Sequence, residues 1–201
     1  MNSPKHIIKA GVAVILSYGL SVAAYAQIGV GWKAYFPSYT TQIEGCGFNN
    51  NFYFSIICPA THAQDPNFQR AERRYADVTS GQSQFQGTVV VNTLGGDKIC
   101  LKQTFQDPAG PFNMIAVEKP GDIYEVEGGQ HLAKYTIGTS VRINTITNIS
   151  AKTVAVYING ALVELKTSAK TPLYDKFGTY RTVSGYGPIQ THWSNIAFWK
   201  K

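Results

Sequence analysis

The sequence has 201 residues, with 18 Lys and Arg against 12 Asp and Glu, so its formal net charge is +6 at pH 7. Its three Cys and four His show no CxxC, HExxH or clustered spacing, which argues against a transition-metal site, and we expect no cofactor. The sequence has no internal repeat, linker or low-complexity tract, which excludes a repeat array and favours a single domain.

The first 26 residues have the pattern of a secretory signal peptide. Lys5 and Lys9 give a basic start, an apolar stretch follows, and the segment ends in the small-residue run 24–26. Cleavage is predicted before Gln27. A retained membrane anchor is the alternative, but the apolar stretch is short for a membrane span.

The remaining residues, 27–201, form a segment long enough for one domain with a hydrophobic core. Loss of two lysines with the signal peptide reduces the net charge from +6 to +4. We therefore expect a monomeric domain that is secreted to the extracellular space or the periplasm. Basic charge on an exported protein favours an acidic polysaccharide as the partner, rather than nucleic acid or a membrane.

The segment from residue 27 to about residue 68 is rich in turns and aromatic residues, and we expect it to cover one edge or end of the domain. Cys46 and Cys58 could close a short loop within it, a crosslink that would stabilise the fold by roughly 3 kcal/mol. Cys100 lies in an apolar run and is expected to be a buried thiol, although pairing with either of the other two stays open.

From residue 84 onward, short β-rich runs alternate with turns. The predicted strands are 84–92, 98–106, 112–119, 122–129, 139–147, 153–160, 161–167, 174–182 and 188–200. Asn159-Gly160 is a strong hairpin signal because both residues tolerate the positive φ of a type I′ turn. Many short strands at regular spacing predict an all-β sandwich or jelly roll.

Three stretches could carry chemistry, and the first is Arg70-Ala71-Glu72-Arg73-Arg74. On a strand, Arg70, Glu72 and Arg74 would face one way. Two guanidinium groups beside a carboxylate suit the binding of a planar anion such as a uronate carboxylate, and Glu72 would hold both arginines in position. The same pattern is also typical of a solvated edge strand with self-paired charges.

The second stretch is the predicted strand 98–106. Alternation places Leu101, Gln103 and Phe105 on one face. Gln103 could then present its amide to a ligand in a groove, although the pattern taken alone favours an ordinary polar strand residue.

The third stretch is 174–180, YDKFGTY, in which Tyr174, Lys176, Gly178 and Tyr180 would share a face. A Tyr hydroxyl can donate or accept a proton, and cations nearby would lower its pKa. We expect Lys176 and Arg70 to do this for Tyr174, and Gly178 to leave open space for a sugar ring. A plain surface strand is the alternative.

Taken in order, these stretches resemble the three sequence blocks of the alginate lyases of polysaccharide lyase family seven, R-[ST]-E-x-R, Q-[IV]-H and Y-x-K-x-G-x-Y. The third block is intact, and the runs 79–87 and 192–200 are also similar to members of this group. The resemblance covers about residues 68–200. It implies a concanavalin-like β-jelly roll, a two-sheet sandwich with a concave groove.

The resemblance also implies a mechanism, in which Arg70 and Gln103 neutralise a uronate carboxylate while a His and a Tyr move protons during β-elimination. The second block departs from the family, because Phe105 stands where the His is expected. Phe105 cannot transfer a proton, so Tyr174 would serve as both base and acid. The residues expected to bind substrate are Glu72, Arg74, Lys176, Tyr180 and His192.

Three hypotheses follow. The first is a secreted lyase that cleaves alginate or another polyuronate by β-elimination. The second is a non-catalytic, lectin-like module with the same groove, which the missing His favours. The third is a structural or host-interaction protein that keeps only the scaffold. For the first, another histidine could replace the missing one, and the candidates are His192, His131 in an expected loop, and His62.

Overall fold

The computed structural model describes residues 28–59, 69–182 and 185–201, and over these residues the chain forms fifteen β-strands. The first four are β1 (Lys33–Tyr35), β2 (Tyr39–Glu44), β3 (Gly47–Asn50) and β4 (Tyr53–Ile56). The next six are β5 (Arg70–Tyr75), β6 (Gln82–Leu94), β7 (Lys98–Gln106), β8 (Gly110–Glu118), β9 (Asp122–Glu125) and β10 (Gln130–Lys134). The last five are β11 (Ser140–Asn148), β12 (Thr153–Ile158), β13 (Ala161–Lys166), β14 (Leu173–Tyr180) and β15 (Ile189–Lys200).

The strands form two antiparallel sheets that pack face to face as a jelly-roll sandwich, which confirms the predicted fold class. The back sheet has the order β13-β12-β11-β6-β15-β4-β3, with β1 also paired to β15. The front sheet has the order β10-β9-β8-β7-β14-β5-β2. Within the described residues, no helix is long and apolar enough to cross a membrane.

The N-terminal part of the domain covers one edge of the sandwich, as expected, but it does so as strands. β2 is the edge strand of the front sheet, and the hairpin β3–β4 is the edge of the back sheet. The disulfide between Cys46 and Cys58 closes this hairpin, while Cys100 is a free, buried thiol. The predicted signal peptide, 1–26, lies outside the described residues.

The strands predicted after residue 84 are present, and Asn159 and Gly160 form the expected tight turn with φ of 51° and 89°. One local prediction is wrong. His131 was expected in a loop, but it lies in β10, because this segment pairs with β9 in an antiparallel ladder at the edge of the front sheet.

An aromatic cluster fills the core between the two sheets. Phe177, from β14, lies at its centre and is fully buried, with its ring centroid 4.9 Å from that of Trp193 and 5.5 Å from that of Phe85. Burying aromatic rings of this size is the largest favourable contribution that a sandwich of this kind can obtain from its core. The cluster therefore fixes which face of β14 points inward.

A charged pair lies beneath this cluster, on the core face of the front sheet. The ammonium of Lys102 (β7) donates to a carboxylate oxygen of Asp175 (β14) at 2.6 Å and to the Thr104 hydroxyl at 3.0 Å. Lys102 is 0% exposed, and this burial lowers its pKa, against the opposing effect of Asp175. Because an unpaired buried charge is so costly, the pair fixes the alignment of β7 against β14.

A bulge in β7 changes the face that its residues present. Cys100 pairs with Ala116 and Lys102 with Ile115, so Leu101 is an extra residue on β7. Leu101 therefore points into the core, whereas Gln103 and Phe105 face the other way. The prediction that Leu101 shares a face with these two residues is wrong, because it assumed unbroken alternation.

Gly178 lies at a matching irregularity of β14 and has φ of 145°. A Cβ atom at this position would come 2.3 Å from the backbone oxygen of Ala71 and 2.8 Å from the Cα of Glu72. The expectation that Gly178 leaves open space above the sheet is therefore wrong. Its missing side chain permits close backbone packing between β14 and β5.

We predict that Lys102→Met reduces the free energy of unfolding by about 3–5 kcal/mol, because it leaves the Asp175 carboxylate buried without its partner. Chemical denaturation followed by tryptophan fluorescence measures the change. The double variant Lys102→Met/Asp175→Leu is the control, and it should recover most of the loss. A single variant as stable as the wild type would show that the pair does not hold the sheet together.

Candidate functional site

A groove with a volume of about 610 Å³ lies on the face of the front sheet that points away from the core. Residues from five adjacent strands, β5, β14, β7, β8 and β9, and from their flanking loops line it. The lining residues are Arg70, Lys98, Gln103, Phe105, Pro111, Met114, Tyr124, Val126, Glu127, Lys176, Tyr180 and Thr182. All three sequence blocks therefore contribute to one groove, which makes it the candidate functional site.

Arg70, Glu72 and Gln103 form a connected group at the floor of this groove. The Gln103 amide donates to Glu72 Oε1 at 2.7 Å, and Arg70 Nη1 lies 3.8 Å from Glu72 Oε2. Arg70 Nε also contacts Glu44 at 3.0 Å. Glu72 is fully buried, which raises the pKa of its carboxyl group, while Lys176 and Arg70 oppose the rise. Glu72 thus orients the amide of Gln103, while the closer ion pair of Arg70 is with Glu44.

Arg74 lies in a different environment. Its guanidinium pairs with Asp77 at 2.7 Å and stacks 3.9 Å from the ring centroid of Tyr174. The prediction that Glu72 holds both arginines is therefore wrong for Arg74, because Asp77, three residues further on, takes its charge. On the other side of Tyr174, the ring of Phe105 stacks at 5.1 Å.

The position of Tyr174 between Arg74 and Phe105 sets the environment of its hydroxyl group. Burial raises the pKa of Tyr174, and Arg74 only partly offsets that effect. The expectation that Lys176 and Arg70 would lower this pKa is wrong, because burial dominates and the cation beside the hydroxyl is Arg74. Tyr174 does not line the groove, although Phe105, directly opposite it on β7, does.

Tyr180 is the phenol of the third block that lines the groove. The guanidinium of Arg70 lies 5.0 Å from its ring centroid, and Tyr180 pairs with Cys100 across β14 and β7. Burial raises the pKa of Tyr180 to about 12, with Arg70 opposing the rise. Tyr180 is therefore protonated at neutral pH and lies beside the cation expected to bind a carboxylate.

Lys176 lies between the two tyrosines on the same face of β14. Its ammonium is 5.0 Å from the ring centroid of Phe105 and 5.7 Å from that of Tyr174. Burial lowers the pKa of Lys176, and the carboxyl group of Glu72 opposes this effect. Lys176 lies in β14 opposite Gln103, so its charge and the Gln103 amide are next to each other on the groove floor.

No histidine of the described residues lines this groove. His192 lies on β15 of the back sheet, where its ring stacks on Tyr53 at 4.1 Å, so it is not part of the candidate site. The side chain of His131 is 66% exposed at the far edge strand β10. His62 lies outside the described residues. Among the residues that the structure describes, no group of three or more His, Cys, Asp or Glu side chains could hold a metal ion.

The sequence reasoning missed the half of the groove formed by β8 and β9. Met114 and Ala116 lie on the groove face of β8, alternating with the core residues Ile115 and Val117. A strand that is apolar on both faces is typical of a sheet with both faces covered. The uninterrupted apolar run MIAV was therefore the signal that could have found this side.

Comparison with known proteins identifies the fold. No protein-family model matches the sequence, and no curated protein matches it. Among solved structures, the marine alginate lyase AlyA1 of Zobellia galactanivorans, from polysaccharide lyase family seven, matches with a TM-score of 0.61 at 16% identity. The match covers 85% of this chain and 95% of that one.

Two further structures show how widely this architecture is used. The alginate lyase of Alteromonas sp. 272 matches with a TM-score of 0.57 at 16% identity, over 80% of this chain and 92% of that chain. A sialidase matches with a TM-score of 0.58 at 9% identity, over 80% of this chain but only 16% of that one. The chain therefore has the β-jelly-roll fold of the family-seven alginate lyases, at a sequence identity that shows the fold alone.

Proposed function

We propose that this protein binds an acidic polysaccharide in the groove and cleaves it by β-elimination. The observation that carries the proposal is that Arg70, Gln103, Lys176 and Tyr180 line one groove. Elimination at a uronate requires cations and a hydrogen-bond donor to neutralise the carboxylate, and a group that transfers protons. Arg70, Lys176 and Gln103 are of the first kind, and Tyr180 is of the second. Alginate or another polyuronate is the proposed substrate class.

The substrate carboxylate would bind against Arg70 and Gln103. The Gln103 amide uses one N–H on Glu72 and keeps a second for the ligand. Charge-assisted hydrogen bonds of this kind are strong in a partly buried groove. Neutralising the carboxylate makes the proton on the adjacent C5 more acidic, because the charge that develops in the transition state is delocalised onto it.

Tyr180 would then carry out both proton transfers. Its phenolate removes the C5 proton, the C4–O4 bond breaks as the C4–C5 double bond forms, and the same proton passes from Tyr180 to the departing O4. Because Tyr180 rests as a phenol, its proton is first lost to solvent, and from the phenolate onward the atoms and charges balance without another acid or base. Tyr180 takes the role that the sequence comparison suggested for Tyr174, because Tyr180 lies beside Arg70 whereas Tyr174 is enclosed by Phe105 and Arg74.

Binding without cleavage is the second candidate function. The specific observation in its favour is Phe105, which lies in the groove on the strand position where a proton-transferring histidine would be expected. The raised pKa of Tyr180 also makes its phenolate scarce at neutral pH. A lectin-like module would use the same carboxylate-binding residues and lack the elimination step.

We further propose that the protein acts outside the cytoplasm, as a secreted extracellular or periplasmic protein. The disulfide between Cys46 and Cys58 supports this location, since structural disulfides persist in oxidising compartments. The pattern of residues 1–26 supports it independently.

We predict that Tyr180→Phe lowers kcat by at least about 100-fold, the usual size of a general acid–base contribution, and leaves polymer binding within a few-fold of the wild type. The measurement is the ultraviolet absorbance of unsaturated product on a panel of polyuronates, with binding followed by calorimetry. Tyr174→Phe is the matched control from the same strand, and it should retain activity.

The outcomes separate the two candidate functions. Binding without any product from the wild-type protein would reject the lyase and support the lectin-like module. Product formation that is lost in Tyr174→Phe but kept in Tyr180→Phe would show that the proton-transferring residue is misassigned. Neither binding nor product on any polyuronate would reject both.

We also predict a pH dependence. Because burial raises the pKa of Tyr180 to about 12, the phenolate fraction increases with each unit of pH below that value. If the phenolate is the base, log kcat/KM should rise with pH with a slope of about 1 between pH 8 and pH 10. Initial rates across this range test it, with circular dichroism confirming that the fold persists. A flat or falling profile would argue against Tyr180 as the base.

A further inference from the structure

The groove contains an apolar cluster that the proposed reaction does not use. Cys100, Met114 and Ala116 are buried together on the groove face of the front sheet, with Tyr124, Val126 and the ring of Tyr180 packed against them. This cluster is separate from the core between the sheets. Of these residues, Met114, Tyr124, Val126 and Tyr180 line the groove itself. We call Met114, Tyr124 and Val126, with Phe105 and Pro111, the apolar wall.

The apolar wall lies beside the carboxylate-binding residues. Lys176 and Tyr180 are on β14, and Met114 is on β8, two strands further along the sheet. Two strand spacings correspond to roughly 10 Å. One ligand can therefore contact the cationic side and the apolar wall together. Two further charged side chains line the groove: Glu127 directly follows Val126, where its carboxyl group disfavours a second carboxylate, and Lys98 lies at the start of β7.

The chemistry of the wall indicates an apolar group on the ligand. Phe105 or Tyr124 could stack on the face of a plain sugar ring, but Met114, Val126 and Pro111 offer no flat surface and no hydrogen bond through their side chains. A sugar hydroxyl held against them would lose its bonds to water without replacement, which costs free energy. A methyl or acyl group held there would instead gain contact area.

We infer that the groove selects acidic oligosaccharides that carry an apolar substituent, such as an O-acetyl ester, with the carboxylate of one sugar on Arg70 and the substituent of a neighbouring sugar on the apolar wall. This inference rests on the proposed function, because it assigns the substrate class of the same groove. Arg70 and the wall residue Val126 are at opposite sides of the groove, on β5 and just after β9.

The test compares one polyuronate in two forms, partly O-acetylated and fully deacetylated by mild base, as oligosaccharides of matched length. Calorimetry with the unaltered protein gives the two dissociation constants, and initial rates give kcat/KM where product forms. We expect the acetylated form to bind at least about 10-fold more tightly, the lower end of what one small apolar group contributes in a fitted pocket.

A variant of the apolar wall tests whether the preference for the acetylated oligosaccharide arises there. Val126→Thr keeps the shape of the side chain and places a hydroxyl in the wall, so it should reduce the preference by about threefold or more. Val163→Thr, on β13 of the back sheet, is the matched control and should leave it unchanged. Circular dichroism checks that both variants fold, and the comparison of the two oligosaccharides does not depend on either variant.

Each result decides the inference. Tighter binding of the acetylated form that Val126→Thr weakens supports it. Equal binding of both forms overturns it and leaves the proposed function intact. A preference that Val126→Thr does not change overturns the assignment to the apolar wall. Binding of neither form overturns the proposed function together with this inference.

Discussion

The buried ion pair between Lys102 and Asp175 is the constraint on which the groove depends. It joins the two central strands of the front sheet, β7 and β14, on their core face. A shift of one residue between these strands would separate the two charges within an apolar interior, at a cost of several kcal/mol. The pair therefore fixes the alignment of the strands, and this alignment places Gln103 opposite Lys176 on the other face.

The same alignment explains why the two tyrosines of one motif have different environments. Tyr174 lies opposite Phe105, so its ring is covered by an aromatic neighbour and by Arg74. Tyr180 lies opposite Cys100, a small residue, so it borders open volume. The partner across the strand, rather than the motif itself, decides which phenol is available to a ligand.

The sequence alone was enough to predict the all-β class and the strands after residue 84, because alternation and turn residues are local signals. The sequence left the disulfide pairing open, and the expectation that the three blocks meet in one groove came from the family resemblance. The sequence was not enough to predict the bulge at Leu101 or the close packing at Gly178, which arise from pairing with neighbouring strands. The environments of Tyr174 and Arg74 depend on the same pairing, and for this reason their predicted partners were wrong.

The extra residue at Leu101 also has a consequence for the evolution of this groove. Because the bulge adds one residue to β7, the groove-facing residue before it has an even number, Cys100, and those after it have odd numbers, Gln103 and Phe105. Deleting the extra residue would restore regular alternation against β8, with Cys100 still facing the groove opposite Ala116 and Lys102 still facing the core opposite Ile115. A change of length at the bulge would therefore keep the ligand surface, whereas a change of length in a regular stretch of β7 would alter the ligand surface and the core in a single step.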